Sequence, residues 1–107
     1  MARQNVFAYR LHSAATVDAT TDSAQSIAAP FGCSVVRLSA HHGNGIKVFI
    51  TQGSNPTAST TAGMIIEHGT EVYLTVAPTT SIGGSDGDKI AVVTATGTAT
   101  VNVAWME

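Results

Sequence analysis

Four histidines, one cysteine and seven carboxylates are the side chains in this 107-residue sequence whose types could do chemistry. His12, His41, His42 and His68 invite a metal reading, because imidazole is a common zinc ligand. His41 and His42 are adjacent, however, and neighbours on an extended strand point to opposite faces, so the two cannot reach one ion without a bulge. Asp86-Gly87-Asp88 matches a fragment of a calcium loop but lacks the further oxygen ligands and the closing Glu. It reads as an acidic loop tip. Cys33, beside Gly32, has nothing local to lower its pKa and no helix N-terminus nearby, so a small buried thiol is expected rather than a nucleophile. No serine carries a nucleophile-elbow pattern, and no Gly-rich segment opens a helix after a strand to cradle phosphate. Glu67 and Glu71 form the one close carboxylate pair, and they flank a turn, where solvated charge belongs. The expectation is a protein that is not an enzyme, with no catalytic residue, no metal and no cofactor.

Composition narrows the partners. Charged residues are 11% of the chain against roughly 25% in ordinary soluble domains. A free monomer normally draws solubility from charge, so a surface rich in Thr, Ser, Ala and Gly suits one covered by other protein; an ordinary Thr-covered β surface is the plainer alternative. Exposed β edges add an expectation of self-association as a dimer or trimer. Arg3, Arg10, Arg37, Lys47 and Lys89 are scattered and the net charge is −2, which argues against nucleic acid. No apolar run approaches the ~18 residues of a membrane span, and Met1 to Asn5 carries no signal-peptide apolar stretch, so no membrane partner and synthesis in the cytoplasm are expected. A single cysteine rules out an intrachain disulfide.

The dominant pattern is alternation with a period of two, and no segment keeps a helical period for three turns. Val6 to Leu11 is β-prone, and Ala14 to Ile27 is small and polar with room for one loose strand near Ala24 to Ala28. Ser34 to Thr51 reads as a hairpin: Val36, Leu38 and Ala40 share one face, Gly43-Asn44-Gly45 turns, and Ile46, Val48 and Ile50 point inward. Thr57 to Thr61 reads as a polar loop without core residues. Gly63 to Glu67 and Thr70 to Val76 flank His68-Gly69, with Val72, Leu74 and Val76 inward. Pro78 to Asp88 is the longest loop, its glycines unable to offset their ordering entropy alone. Lys89 to Ala95, a turn at Thr96-Gly97, and Thr98 to Met106 complete the chain. Trp105 lies on the apolar face of the last segment, either anchoring the core or anchoring an interface. About eight short strands with evenly spaced turns predict one all-β domain over residues 1–107, an antiparallel β-sandwich or jelly-roll, with residues 1–5 as an N-terminal arm.

The order of motifs resembles the small β-sandwich capsid decoration (cement) proteins of tailed bacteriophages. It begins at Ile27-Ala28-Ala29-Pro30-Phe31-Gly32-Cys33-Ser34-Val35-Val36-Arg37-Leu38, a Pro-x-Gly corner feeding a V-x-L strand. It continues through Val48 to Ala58, an apolar strand ending in Gly53-Ser54-Asn55-Pro56-Thr57-Ala58, then Ala62 to Glu67 with Glu71-Val72-Tyr73-Leu74. It ends at Gly87-Asp88-Lys89-Ile90-Ala91-Val92-Val93 and Val101-Asn102-Val103. The N-terminal segment and the loop from Thr79 to Asp86 depart from the pattern.

The resemblance implies a virion protein on the outer surface of a mature head, bridging capsomers, with the major capsid protein as partner. Such a protein opposes the pressure of packed DNA by adding contact across seams, and engaging two subunits makes the second contact intramolecular. Aromatic and Arg residues are the usual interface anchors, so Arg3, Phe7, Tyr9, Arg10, Phe49 and Tyr73 are the candidate contact residues, Phe7 and Phe49 being equally open to a core role. Another virion part (tail, head–tail completion or fibre base) and a carbohydrate-binding module are the alternatives. Six Phe, Trp and Tyr residues are few for a module of the second kind.

Overall fold

The computed structural model describes residues 10–41 and 46–107. They form eight strands: β1 Leu11–Ala19, β2 Ala24–Gln25, β3 Val35–His41, β4 Val48–Gly53, β5 Met64–Ile66, β6 Glu71–Thr75, β7 Lys89–Thr94 and β8 Ala99–Met106. No helix occurs among the described residues. Two four-stranded antiparallel sheets result, a front sheet in the order β1-β8-β3-β6 and a back sheet in the order β2-β7-β4-β5. These interleaved orders are those of an eight-stranded jelly-roll. The slab is 21 Å through its thinnest dimension, as expected of two sheets ~10 Å apart with their outer side chains.

The alternation read from the sequence sets the core. Val36, Leu38 and Ala40 from β3 meet Ala99, Val101, Val103 and Trp105 from β8 on the inner face of the front sheet. Val48 and Ile50, Ile90 and Val92, and Ile66 face them from the back sheet. At ~1.5–3 kcal/mol for each large aliphatic side chain taken out of water, this layer supplies the main drive to close the slab. Trp105 is 1% exposed and is a core anchor. Its buried indole N–H has no hydrogen-bond partner among the described residues, so the ring works by area rather than through its polar edge.

Three expectations are corrected. The segment from Ser34 to Thr51 is not a hairpin, because β3 pairs with β6 and β8 while β4 pairs with β5 and β7. Every connection except β4 to β5 carries the chain from one sheet to the other. Local alternation fixes which residues face inward, but the partner of a strand is chosen by distant sequence. Second, the small, polar N-terminal stretch holds the longest strand, Leu11–Ala19, while β2 has two residues. Ala, Ser and Thr give little periodic contrast, and β1 is a strand because it lies along nearly all of β8. Third, the Thr57 to Thr61 region does contribute to packing: Pro56 and Ala58 are buried, and Ala58 closes over Ala91 and Val93 with Phe49 alongside. The unbroken apolar run Ile90-Ala91-Val92-Val93 makes β7 apolar on both faces, so its outer face requires that cover. Val6 to Tyr9, His42 and the Gly43-Asn44-Gly45 turn lie outside the described residues.

Replacing Trp105 with Ala is expected to cost about 3–5 kcal/mol, while Trp105→Phe costs well under half of that, because area is lost but no hydrogen bond is. Thermal unfolding of the two variants measures both. Equal losses would mean that the indole N–H makes a contact the structure does not contain.

Candidate interaction surface

The register places the outward side chains of the front sheet in rows. Tyr73, Arg37, Ala104 and Ala14 lie side by side across β6, β3, β8 and β1. Glu71, Ser39, Asn102 and Thr16 form the next row, then His41, Thr100 and Asp18. On the other side of the Tyr73 row lie Thr75, Val35, Met106 and Leu11. Arg37 ties this face together: its guanidinium lies 3.1 Å from Glu71 Oε2 and donates to Asn102 Oδ1 at 3.2 Å. A part-exposed ion pair of this kind contributes only about 0.2–1 kcal/mol, so its main effect is to hold the arginine flat against the sheet. Tyr73, 51% exposed, stands directly opposite Arg37.

The predicted contact residues do not converge. Tyr73 is on the outer face of the front sheet, and Phe49 is half-buried on the outer face of the back sheet, a slab's thickness away. Arg10 is exposed where the chain enters β1, its backbone exchanging hydrogen bonds with Glu107 at 3.3 and 2.8 Å. Arg3, Phe7 and Tyr9 lie outside the described residues. Arg37, Asn102 and Glu71 were missed because a charge tie across three strands needs the pairing, which single-strand alternation does not reveal.

A second feature lies at the end of the slab where β3 begins and β6 ends. Segments 26–34 and 76–88 are knitted there by backbone bonds: Thr79 N–H donates to Ala29 O, Ala29 N–H to Asp88 O, and Asp88 N–H to Ala77 O, at 2.7–2.9 Å. Asp88 Oδ2 accepts from Ala77 N–H at 2.9 Å, and Asp86 accepts from the Thr80 amide at 3.0 Å and its hydroxyl at 2.7 Å. The two carboxylates of the would-be calcium fragment are thus engaged as caps for the loop's own backbone. Gly87 is needed for close approach, since a Cβ there would stand 2.6 Å from both Ala29 O and Thr79 N. This knit is what orders the longest loop, and it presents Ile27, Phe31 and, 85% exposed, Ile82 on the same two segments.

The titratable groups show no convergent chemistry. Among the described residues no three His, Cys, Asp or Glu side chains gather as a metal site. His41 and His68 meet edge to face, their ring centres 6.1 Å apart. An open cleft of about 450 Å³ is lined by Asp18, Thr20, His41, Thr98, Ala99 and Thr100. Asp18 and His41 flank Thr100 from the two neighbouring strands, hence about 10 Å apart along the hydrogen-bonding direction, too far to share a proton. Burial pushes the Cys33 thiol up from its ordinary value, helped by the Glu107 carboxylate, which is the opposite of what a nucleophile needs. Comparison of the chain with protein-family models, with curated proteins and with solved structures finds no match.

Two outcomes follow from these environments. Cys33 should resist a thiol reagent at pH 8 in the folded protein and react at once in denaturant, as read by mass spectrometry; rapid native labelling would contradict its burial. Hydrogen bonds from Thr80 hold the Asp86 carboxyl below the usual carboxylate value. A depressed pKa stabilises the fold above the unfolded-state value of about 3.9 and loses that contribution as pH falls through the lower folded value. Melting temperature followed from pH 6 to pH 2 should therefore fall less steeply below about pH 4 in Asp86→Asn than in the parent.

Proposed function

We propose that this chain is a non-enzymatic structural protein of a tailed-phage virion, a decoration protein that binds the outer surface of the mature head and bridges capsomers. On this reading its partner is the major capsid protein, and it is made in the bacterial cytoplasm and resides on the capsid surface. A jelly-roll hosts many functions, so the fold by itself does not select this one. Support comes from the ordered motif set described above together with the flat outer face of the front sheet. That face is the observation on which the reading rests. It is uncovered among the described residues, carries few charges, and has its one arginine tied down beside an exposed tyrosine. Cross-tied side chains lose little entropy on docking, and an Arg–Tyr pair amid small residues suits an interface anchor.

Area decides how much more of the molecule must take part. Four strands at ~4.8 Å spacing and eight residues at ~3.3 Å give a face of roughly 500 Å². An ordinary stable contact buries ~800 Å² on each partner. The face alone falls short, and the adjoining loop end with Phe31 and Ile82 makes up the difference. The back sheet contributes less, because its own 54–63 segment already covers part of its outer face.

The test is co-sedimentation with mature heads assembled from the major capsid protein encoded beside this chain. Tyr73→Ala and Ile82→Asp are each expected to weaken head binding about ten-fold or more, whereas Phe49→Ala leaves it within about two-fold. No binding by the unaltered protein, or equal binding by all three variants, would falsify the proposal. Capture by a glycan array in place of heads would move the protein to the carbohydrate-binding class.

A further inference from the structure

The four sheet edges are unequal. Three are short: β2 has two residues, β5 three and β6 five. The fourth, β1, runs for nine residues, Leu11 to Ala19, with one side on β8 and the other unpaired among the described residues. Proteins ordinarily blunt such an edge with Lys, Pro, inward charge, brevity or a bulge. The sequence Leu-His-Ser-Ala-Ala-Thr-Val-Asp-Ala has no Lys, Arg or Pro, and its one bulge sits at the very start, between Leu11 and Ser13. Along the remainder, small side chains leave the backbone donors and acceptors open to another strand.

We infer that β1 pairs antiparallel with β1 of a second copy, about a two-fold axis through Ala15, joining two front sheets into one continuous eight-stranded sheet. The register follows from two constraints. Outer-face residues must oppose outer-face residues, because a slip of one position turns every side chain over. Asp18 is on the outer face opposite Thr100, and Ser13 is on the inner face opposite Trp105, which puts His12 on the outer side as well. Among registers that obey this rule, the one centred on Ala15 sets His12 opposite Asp18 of the second copy, and Asp18 opposite the second copy's His12. It also faces Ser13 with Val17, Ala14 with Thr16 and Leu11 with Ala19, and so uses the whole strand. A shift of two residues either way sets His12 against Thr16, or Asp18 against Ala14, and both imidazole–carboxylate pairs are lost. The match is self-complementary, as a two-fold interface requires. The outer faces of both copies then lie on the same side of the joined sheet, doubling the flat surface.

This inference deepens the expected self-association and does not depend on what the assembly binds. A monomer could still decorate heads, so failure here and failure of head binding are separate results. The test uses the full chain with Ala15→Cys under mild oxidation. Across the axis the two Cα atoms would be ~4.5–5.5 Å apart, within the ~4.4–6.8 Å that a disulfide spans, and a cross-linked dimer is expected. In Ser13→Cys each sulfur sits four residues from its counterpart, about 13 Å along the strand, and no cross-link is expected. The native Cys33 is fully buried and leaves the unaltered protein unlinked. In light scattering, Asp18→Lys should raise the dimer dissociation constant about ten-fold, and the double variant His12→Asp/Asp18→Lys should restore it. Absence of the Ala15→Cys dimer, an equally strong link through Ser13→Cys, or a double variant no tighter than Asp18→Lys would each overturn the pairing.

Discussion

Strand β8 is the member on which the rest of the front sheet depends. It is hydrogen-bonded on both sides, to β1 at the start of the described chain and to β3 in its first half, and its inner face carries Ala99, Val101, Val103 and Trp105 into the core. Until these last residues are in place, β1 has no partner and β3 lacks one of its two. The front sheet therefore cannot form piecemeal, since loop closure over almost the whole chain precedes the contacts that reward it. Only β4 and β5 have a partner supplied by their own connection. A slab assembled in this way is cooperative, and stiffness follows from the same interleaving, because no strand can leave without breaking pairs that involve distant segments.

Much of the inner layer was legible in the sequence. Val36, Leu38 and Ala40, Val72, Leu74 and Val76, and Ala99 through Trp105 all face inward as their alternation requires. Alternation is a property of single strands and reports facing only. It carries no word on partners, which is why the β3–β4 hairpin failed even though both strands were placed correctly. It is also silent where side chains are small, as along Leu11–Ala19. The signal that could have found β1 is the absence of turn residues over that stretch: no Gly and no Pro interrupts it before Pro30.

The loops were the hardest part to read, because their order comes from side-chain caps and close backbone approach. Asp86, Asp88 and Thr79 were visible as polar residues of a Gly-rich loop. Their function as acceptors for the amides of Thr80, Ala77 and Gly87 depends on where the loop folds back. Ser23 and Gln25 do comparable work for the 54–63 segment, holding Ala58 N–H at 2.9 Å and Pro56 O at 2.7 Å. Of the candidate contact residues, Tyr73 was legible by parity, while the arginine beside it was seen only as one more scattered charge. The cross-strand tie to Glu71 and Asn102 turns that charge into part of a surface.

The two outer faces end up chemically different, and the cause lies in the two central strands. On β7 the outward residues Ala91 and Val93 are apolar, so the back sheet recruits its own loop as a lid. On β8 the outward residues include Thr100 and Asn102, which tolerate water, so the front sheet needs no lid and stays flat. A rigid plate with one bare face and one self-covered face has a built-in polarity for docking. Low charge makes that bare face cheap to desolvate, since few ions must shed water, and the single arginine already spends its hydrogen bonds within the sheet. Partner choice is then left to shape and to the loop end rather than to charge. For a protein that must settle many times on equivalent positions of a large surface, that division suits a scaffold that stays rigid while only its edge and one end vary.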